Sequence, residues 1–147
     1  MKLNLGELNH KGFENIDKNF SKLKYSDKSI DSVYSCYLLQ KLSKEETLKI
    51  FLEIKRILKH GGQVRFSVPD YFLLSDKYLK SKCKIEEVNR ILDGSKQFFD
   101  FIYMQKLLVQ SGFYSVKRYN QENFPMGDFS AYDINGEIIS LNIEAYG

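Results

Sequence analysis

"SKEETLKIFLEIKRILKHGGQVRFSVPD", residues 43–70, contains the pattern of a helix, a pair of glycines and the pattern of a strand, in that order. Ser43 and Glu46 have the spacing of a capping box, in which each side chain accepts a hydrogen bond from the other residue's backbone N–H. Residues that can face a core then recur at i, i+3, i+4, i+7 and i+11, namely Thr47, Ile50, Phe51, Ile54 and Leu58. This pattern predicts an amphipathic helix over residues 43–59.

The second half of the stretch predicts a buried strand. Gly61 and Gly62 are expected to end the helix, because glycine readily adopts the left-handed backbone found at helix ends. Apolar residues then alternate with polar ones at Val64, Phe66 and Val68, and a proline closes the strand. A helix, a glycine stop and a strand in this order are typical of an α/β crossover between parallel strands.

Toward the amino terminus, the sequence predicts three further strands. Polar and apolar residues alternate over residues 2–5, and Gly6 follows. This pattern indicates a strand that ends in a turn. A second short strand is predicted at 13–16, and a third over residues 30–37.

Toward the carboxyl terminus, the theme of helix and strand repeats. Short helices are predicted near 71–79 and 84–92, and a longer one over 99–110 that Gly112 ends. The segment "FYSVKRY" then follows as a strand.

The last segment predicts a hairpin. Asn135-Gly136 lies between "AYDI" and "EIISLNIEA", and a two-residue hairpin turn needs the positive φ that Asn and Gly tolerate. We therefore expect the last strand to be antiparallel to a neighbour.

The composition predicts one folded domain over residues 1–147, and the cysteine usage together with the lack of a signal-peptide pattern predicts a cytoplasmic location. Hydrophobic residues make up 43% and charged residues 28% of the chain, and no linker or repeat divides it. The net charge is +3, and the Lys and Arg residues are scattered among acidic residues, so a nucleic-acid surface is not expected. Neither cysteine lies in a metal-binding or redox spacing, and no apolar run approaches the roughly 20 residues that cross a bilayer.

Six segments follow one another along the chain: "LNLG" at 3–6, "GFENID" at 12–17, "LKYSDKSIDSVYS" at 23–35, "RILKHGGQVRFSVPD" at 56–70, "LLVQSGFYSV" at 107–116 and "SLNIEA" at 140–145. In this order they resemble the class I S-adenosylmethionine-dependent methyltransferases, in particular the broad group called type 11. The likeness spans nearly the whole chain.

This resemblance implies an α/β fold with three layers, in which a doubly wound, mostly parallel, Rossmann-like sheet ends in an antiparallel strand. The family sheet has seven strands. Only five residues, 18–22, separate Asp17 from Leu23, where the family usually fits another strand. We therefore expect about six strands here.

The resemblance also implies S-adenosylmethionine as the cofactor, bound across the carboxyl ends of the first strands. Gly6, Glu7 and Ser35 then fall at cofactor-binding positions. Two alternatives remain for the strand at 13–16. If it is the family's second strand, Asp17 accepts hydrogen bonds from the ribose; if it is the third, Asn19 stands where the family has an acid that contacts the adenine.

Three positions depart from the family pattern. Leu8 stands where the family has a second loop glycine, so its side chain is expected to project toward the methionine part of the cofactor. Gln40-Lys41 replaces a frequent Glu-His pair, which removes a titratable group from the crevice.

Asp70 and His10 are the candidates for catalysis. Asp70 follows a strand end, where it could meet an acceptor or form an Asx turn. His10 could act as a general base near neutral pH or be a surface histidine.

The predicted function is methyl transfer from S-adenosylmethionine to an unidentified acceptor. The alternative is a methyltransferase-like module that has lost catalysis and binds a partner. Shortening of the sheet would expose a strand edge, which could pair with a second copy of the chain or with a partner protein.

Overall fold

The computed structural model describes residues 1–6, 9, 11–17, 19–20, 22–119, 133–134 and 137–147. The strands are β1 (Lys2–Leu5), β2 (Glu14–Ile16), β3 (Ile30–Cys36), β4 (Leu58–Pro69), β5 (Tyr114–Arg118), β6 (Asp133–Ile134), β7 (Glu137–Ile138) and β8 (Ser140–Tyr146). The helices are α1 (Lys44–Ile57), α2 (Tyr71–Leu79), α3 (Ile85–Leu92) and α4 (Phe101–Gln110), with a 3-10 turn at Leu39–Lys41.

Six strands form the main sheet in the order β2-β1-β3-β4-β8-β5. The first four are parallel, and β8 runs antiparallel to both β4 and β5. This confirms the predicted doubly wound α/β class, its antiparallel last strand and the count of six.

The strand at 14–16 lies beside β1, at the edge of the sheet. In the doubly wound order 3-2-1-4-5-6, the neighbour of the first strand on this side is the second strand. The third position therefore has no strand in the described part of the chain. This pairing favours the alternative in which Asp17 follows the second strand.

Helix α1 begins as predicted but ends earlier than predicted. The capping box is present, since Ser43 accepts from the Glu46 N–H and Glu46 accepts from the Ser43 N–H. The prediction that Gly61 and Gly62 end the helix is wrong, because Leu58 is already extended and pairs with Ile30 of β3.

The two glycines instead lie in an irregular part of β4, where the register against β3 shifts. Gly61 has a φ of +72°, and its N–H donates to the Gly147 carbonyl at 2.8 Å. Pairing with both neighbouring strands thus overrides the local preference for a helix end at these residues.

Helices α1 and α4 share one hydrophobic core with the sheet. Phe51 of α1 lies at its centre, with its ring 5.2 Å from Phe66 of β4 and 6.0 Å from Phe113, which precedes β5. Met104, Leu107 and Leu108 of α4 belong to the same cluster. The alternation predicted for Val64, Phe66 and Val68 is confirmed, since all three side chains are buried.

Helix α4 begins at Phe101, two residues later than predicted, because Asp100 caps it by accepting from the Tyr103 N–H. Gly112 follows with a φ of +87°, as a helix-ending glycine requires. The predicted hairpin is confirmed in its strands, since β6 pairs antiparallel with β7. Its turn residues, Asn135 and Gly136, lie outside the described residues.

A second buried cluster joins α2 and α3 to the carboxyl-terminal strands. It contains Leu74, Ile91, Ile134 and Ile139. Both short helices were predicted, and both are present. This cluster sets the α2–α3 pair just beyond the carboxyl end of β4.

Candidate cofactor site

The carboxyl ends of three neighbouring strands bring the predicted site residues to one edge of the sheet. Leu5 at the end of β1 lies opposite Ile16 on β2 and opposite Ser35 on β3. Gly6 and Asp17, the next residues of β1 and β2, therefore lie near Ser35. Neighbouring strands are about 4.8 Å apart, so the three residues span a width of about 10 Å.

Gly6 has a backbone conformation that favours glycine. Its φ is +133°, and its N–H donates to the Ile16 carbonyl at 2.8 Å, which extends the pairing of β1 with β2 by one residue. A Cβ placed on Gly6 would lie 3.7 Å from the Cys36 carbonyl oxygen and 4.0 Å from the Leu38 Cβ, which are ordinary contacts. The requirement for glycine thus comes from the backbone and not from a clash within the protein.

Ser35 carries a buried hydroxyl that no described residue satisfies. The residue is 1% exposed, and its Oγ has no hydrogen-bond partner in the described part of the chain. Buried polar groups are nearly always hydrogen-bonded, so an orphaned hydroxyl needs an explanation. A polar ligand at the strand ends would supply the missing partner.

Asp17 is exposed at the end of β2, and no described side chain or backbone group bonds to its carboxylate. It is therefore available to a ligand that carries hydroxyl groups. Asn19 is also exposed, with a φ of +58°, and its carbonyl accepts from the Lys22 N–H at 3.3 Å. Asn19 thus lies in a turn beyond the edge of the sheet.

A clamp from α1 fixes the connection between β2 and β3. The Arg56 guanidinium donates to the carbonyls of Leu23 and Tyr25 at 3.1 and 2.9 Å, and Glu53 accepts from the Leu23 N–H at 2.7 Å. Hydrogen bonds from Arg56 hold the pKa of Glu53 below its usual range. The clamp holds Leu23 and Tyr25, which follow residues 18–22, where the family usually fits another strand.

Glu7, Leu8 and His10 lie outside the described residues. Their predicted roles in the cofactor loop and in catalysis stay predictions.

Asp70 is buried and engaged within the protein. Its Oδ1 accepts from the Leu73 N–H at 3.2 Å and caps α2, while its Oδ2 lies 3.2 Å from the Arg118 guanidinium. Both carboxylate oxygens therefore have partners. This arrangement agrees with the alternative of a local structural role at the strand end.

Two residues that the sequence analysis did not select also shape this edge. Tyr37, directly after β3, has a φ of +50°, and its hydroxyl bonds Ser140 Oγ. A positive φ in a bulky residue is a strained conformation that often occurs at functional sites. No pattern in the sequence signals it.

Gln97 ties the segment before α4 to the turn after β3. Its Nε2 donates to the carbonyls of Leu39 and Leu42 and to Thr47 Oγ1, at 3.2, 2.9 and 2.7 Å. Gln40, in the predicted crevice, is buried and donates to the Tyr37 carbonyl at 2.9 Å. No pattern in the sequence predicts that Gln97 would anchor the turn after β3.

Residues 2–66 match the model of a family described as a methyltransferase domain. A structure from Thermotoga maritima, titled an S-adenosylmethionine-dependent methyltransferase and possible histamine N-methyltransferase, matches with a TM-score of 0.60 at 18% identity over 92% of this chain and 64% of that chain. Our chain has the class I methyltransferase fold. The predicted resemblance is thereby confirmed at the level of the fold.

Other solved structures with the methyltransferase fold also match this chain. An S-adenosylmethionine-dependent methyltransferase from Archaeoglobus fulgidus has a TM-score of 0.60 at 12% identity, over 92% of this chain and 68% of that one. A complex from Haloferax volcanii, between the Trm112 methyltransferase activator and its methyltransferase candidate, gives 0.57 at 14% identity, over 95% and 63%. No curated protein matches significantly by sequence.

This methyltransferase-like chain spans only 64% of the length of the Thermotoga structure. Within the described residues, no group of three or more His, Cys, Asp or Glu side chains could hold a metal ion. The helices of the described part are all too short or too polar to cross a membrane.

Proposed function

We propose that this chain binds S-adenosylmethionine across the carboxyl ends of β1, β2 and β3 and transfers its methyl group to an acceptor. The observation that carries the proposal is the buried hydroxyl of Ser35, for which no described residue is a partner. Ser35 lies near the carboxyl end of β3, between β1 and β4. A buried hydroxyl at a strand end that no described residue satisfies fits a polar ligand bound there.

S-adenosylmethionine supplies an electrophilic methyl group on its sulfonium. The residues of this chain do the binding and the positioning. Gly6 lets the backbone approach the ligand, Asp17 accepts hydrogen bonds from the ribose hydroxyls, and Ser35 provides a buried hydrogen-bonding group. Holding donor and acceptor in line is the main catalytic contribution in such a transfer.

The acceptor decides whether a base is needed. A hydroxyl or an amine must lose a proton, and we keep Asp70 and His10 as the proposed bases. Each oxygen of the Asp70 carboxylate has one partner, the Leu73 N–H or the Arg118 guanidinium, and keeps a further lone pair that can accept a proton from the acceptor.

Titration with S-adenosylhomocysteine tests the proposal through Ser35→Ala. Among the described residues the Ser35 hydroxyl has no hydrogen-bond partner, so its removal should leave the stability of the free protein unchanged or slightly raised. The affinity for S-adenosylhomocysteine should fall by about two- to tenfold, the worth of one hydrogen bond.

Ser95→Ala is the matched control, because the Ser95 Oγ is also buried without a hydrogen-bond partner among the described residues but belongs to the segment before α4. It should leave the affinity unchanged. Equal affinity in Ser35→Ala and the wild type, or no binding by the wild type at millimolar ligand, would overturn the proposal.

A second candidate function is a module without catalysis that binds a partner through the edge strand β2. The observation that favours it is the strand order, which leaves one side of β2 without a neighbouring strand among the described residues. An exposed strand edge can pair with a strand of another chain. The partner would be a second copy of the chain or a protein activator, as in the related complex that contains Trm112.

Light scattering combined with a methyl-transfer assay separates the two candidates. A particle of twice the 17.2 kDa chain mass without transfer to any acceptor supports the binding module. A particle of one chain mass that transfers a methyl group excludes it.

A further inference from the structure

The side chain of Gln40 carries a buried acceptor that no described residue satisfies. Gln40 lies in the 3-10 turn that follows β3, and it is 5% exposed. Its Oε1 has no hydrogen-bond partner in the described part of the chain. A buried carbonyl oxygen without a partner lowers stability, because it has lost its hydration and gained no bond in exchange. A ligand that donates a hydrogen bond to Oε1 would remove this cost.

The Tyr37 carbonyl fixes the orientation of the Gln40 amide. The amide nitrogen, Nε2, donates to this carbonyl at 2.9 Å. A carbonyl only accepts, so exchanging Nε2 and Oε1 would place two acceptors against each other. The unsatisfied atom is therefore the amide oxygen, which requires a donor from its ligand.

The backbone of Gln40 is held in place as well. Its carbonyl accepts from the N–H groups of Lys96 at 2.8 Å and of Gln97 at 3.3 Å. The Gln97 side chain also donates to the Leu39 carbonyl at 3.2 Å. Because the turn is already fixed, a ligand can bond Oε1 without first ordering this part of the chain.

The turn that carries Gln40 lies beside the candidate cofactor site. A Cβ placed on Gly6 would be 4.0 Å from the Leu38 Cβ, so the glycine turn after β1 approaches the start of this turn. On the other side, Phe99 pairs with Asp70, which directly follows β4. Gln40 thus belongs to the segment between the cofactor edge and the proposed base, where an acceptor that meets both would lie.

The charges of this turn do not suit a cationic ligand. Residues 37–43 contain no acid, and Lys41 and Lys96 are exposed next to Gln40 in the turn and its neighbouring segment. Glu46 lies 3.8 Å from the Lys96 Nζ and accepts from the Ser43 N–H at 2.7 Å, where it caps α1. A buried cation needs a charged partner, whereas an amide oxygen satisfies a neutral O–H or N–H.

We propose that Gln40 is a specificity-determining residue, whose Oε1 accepts a hydrogen bond from a neutral hydroxyl or aromatic amine of the methyl acceptor. This assignment rests on the proposed function above. It favours neutral acceptors over alkylamines, which are ammonium ions near neutral pH. The role of Gln40 is to bind and orient the acceptor, since its amide oxygen accepts a hydrogen bond but takes up no proton.

Ligand-observed NMR with phenol and anisole tests the proposal, both with S-adenosylhomocysteine and without it. The two probes share one aromatic ring, but only phenol donates a hydrogen bond. Gln40→Met has a side chain of similar length without the amide. The ratio of phenol affinity to anisole affinity should be about fivefold lower in Gln40→Met than in the wild type, the worth of one hydrogen bond.

Two further measurements separate hydrogen bonding from folding. Gln110→Met makes the same replacement at an exposed residue at the end of α4, and it should leave the ratio as in the wild type. Gln40→Met also loses the bond to the Tyr37 carbonyl, so thermal unfolding should show a lower stability than in the wild type. The wild type alone gives the second measurement, because it should bind benzyl alcohol more tightly than benzylammonium.

Three outcomes would overturn the proposal: no binding of phenol to the wild type at millimolar concentration, an equal ratio in Gln40→Met and the wild type, or tighter binding of benzylammonium than of benzyl alcohol. S-adenosylhomocysteine is titrated separately into both proteins, and its affinity should not change with Gln40→Met. Absence of that binding counts against the proposed function, whereas an unchanged ratio counts against Gln40, so the two failures give different results.

Discussion

Replacing Gly6 by alanine probes the backbone at the centre of the candidate cofactor site. The added Cβ would have ordinary contacts, 3.7 Å from the Cys36 carbonyl oxygen and 4.0 Å from the Leu38 Cβ, so a clash contributes nothing. The cost comes from the φ of +133°, a conformation that is nearly restricted to glycine. We expect the free energy of unfolding to fall by about 1–3 kcal/mol, which lowers Tm by roughly 2–4 °C per kcal/mol for a chain of this size.

Gly12→Ala is the matched control for the binding measurement. Gly12 belongs to the same connection between β1 and β2, has a φ of +86°, and has no described atom within 4 Å of an added Cβ. Thermal unfolding should show a similar loss of stability in both variants. Titration with S-adenosylhomocysteine should show weaker binding only in Gly6→Ala, because only there would the methyl group occupy the place of the ligand.

The reasoning is refuted if folded Gly6→Ala binds S-adenosylhomocysteine as tightly as the wild type. It is also refuted if Gly6→Ala is as stable as the wild type, because the strain would then be absent.

Further predictions concern stability. Arg65→Met should lower the free energy of unfolding by about 3 kcal/mol, because it removes a partner at 2.8 Å from the buried Glu144 carboxylate; in urea titrations the exposed control Lys80→Met should lose less than about 1 kcal/mol. Burial alone would raise the pKa of Glu144, but hydrogen bonds from Arg65 and other neighbours outweigh it and lower the pKa below 4.5. Glu144 therefore contributes stability above pH 4.5 that is lost as the pH falls through its folded-state pKa. In urea titrations across this range, the free energy of unfolding should fall less with decreasing pH in Glu144→Gln than in the wild type. An equal dependence of the free energy of unfolding on pH in both proteins would contradict this. Phe51→Ala should lose about 3–5 kcal/mol in the same assay, whereas Leu52→Ala on the exposed face should lose less than about 0.5 kcal/mol.

The order of elements could be predicted because each carries its own local pattern. The capping box of Ser43 and Glu46 marks the start of α1, and the alternation of Val64, Phe66 and Val68 marks β4. Local signals failed at Gly61, where the pairing of Leu58 with β3 and of Gly61 with Gly147 decides the backbone. These pairings join residues that are distant in sequence, so no local pattern contains them.

The candidate site could be predicted only in part. The resemblance selected Gly6, Asp17 and Ser35, and the strand pairing brings the ends of their strands together. The pairing of β2 with β1, which favours Asp17 over Asn19, joins distant parts of the chain and could not be predicted from local patterns. Roles that depend on tertiary contacts, such as the anchoring of residues by Gln97, had no signal in the sequence.

The surroundings of α2 and α3 also could not be predicted from local sequence patterns. Both helices were predicted near 71–79 and 84–92, but the stacking of Tyr71 on Phe98 joins residues 27 positions apart. The exposure of Leu79 and Ile85 also follows from packing, since helical spacing alone does not tell which apolar side chains remain uncovered.

A crystal structure of the chain with S-adenosylhomocysteine tests the central claim most directly. The account predicts ligand density across the carboxyl ends of β1, β2 and β3, with the ribose hydroxyls hydrogen-bonded to Asp17 and a polar ligand atom bonded to Ser35 Oγ. Density at another place, or crystals without ligand at millimolar concentration and with protein side chains filling this edge, would contradict it.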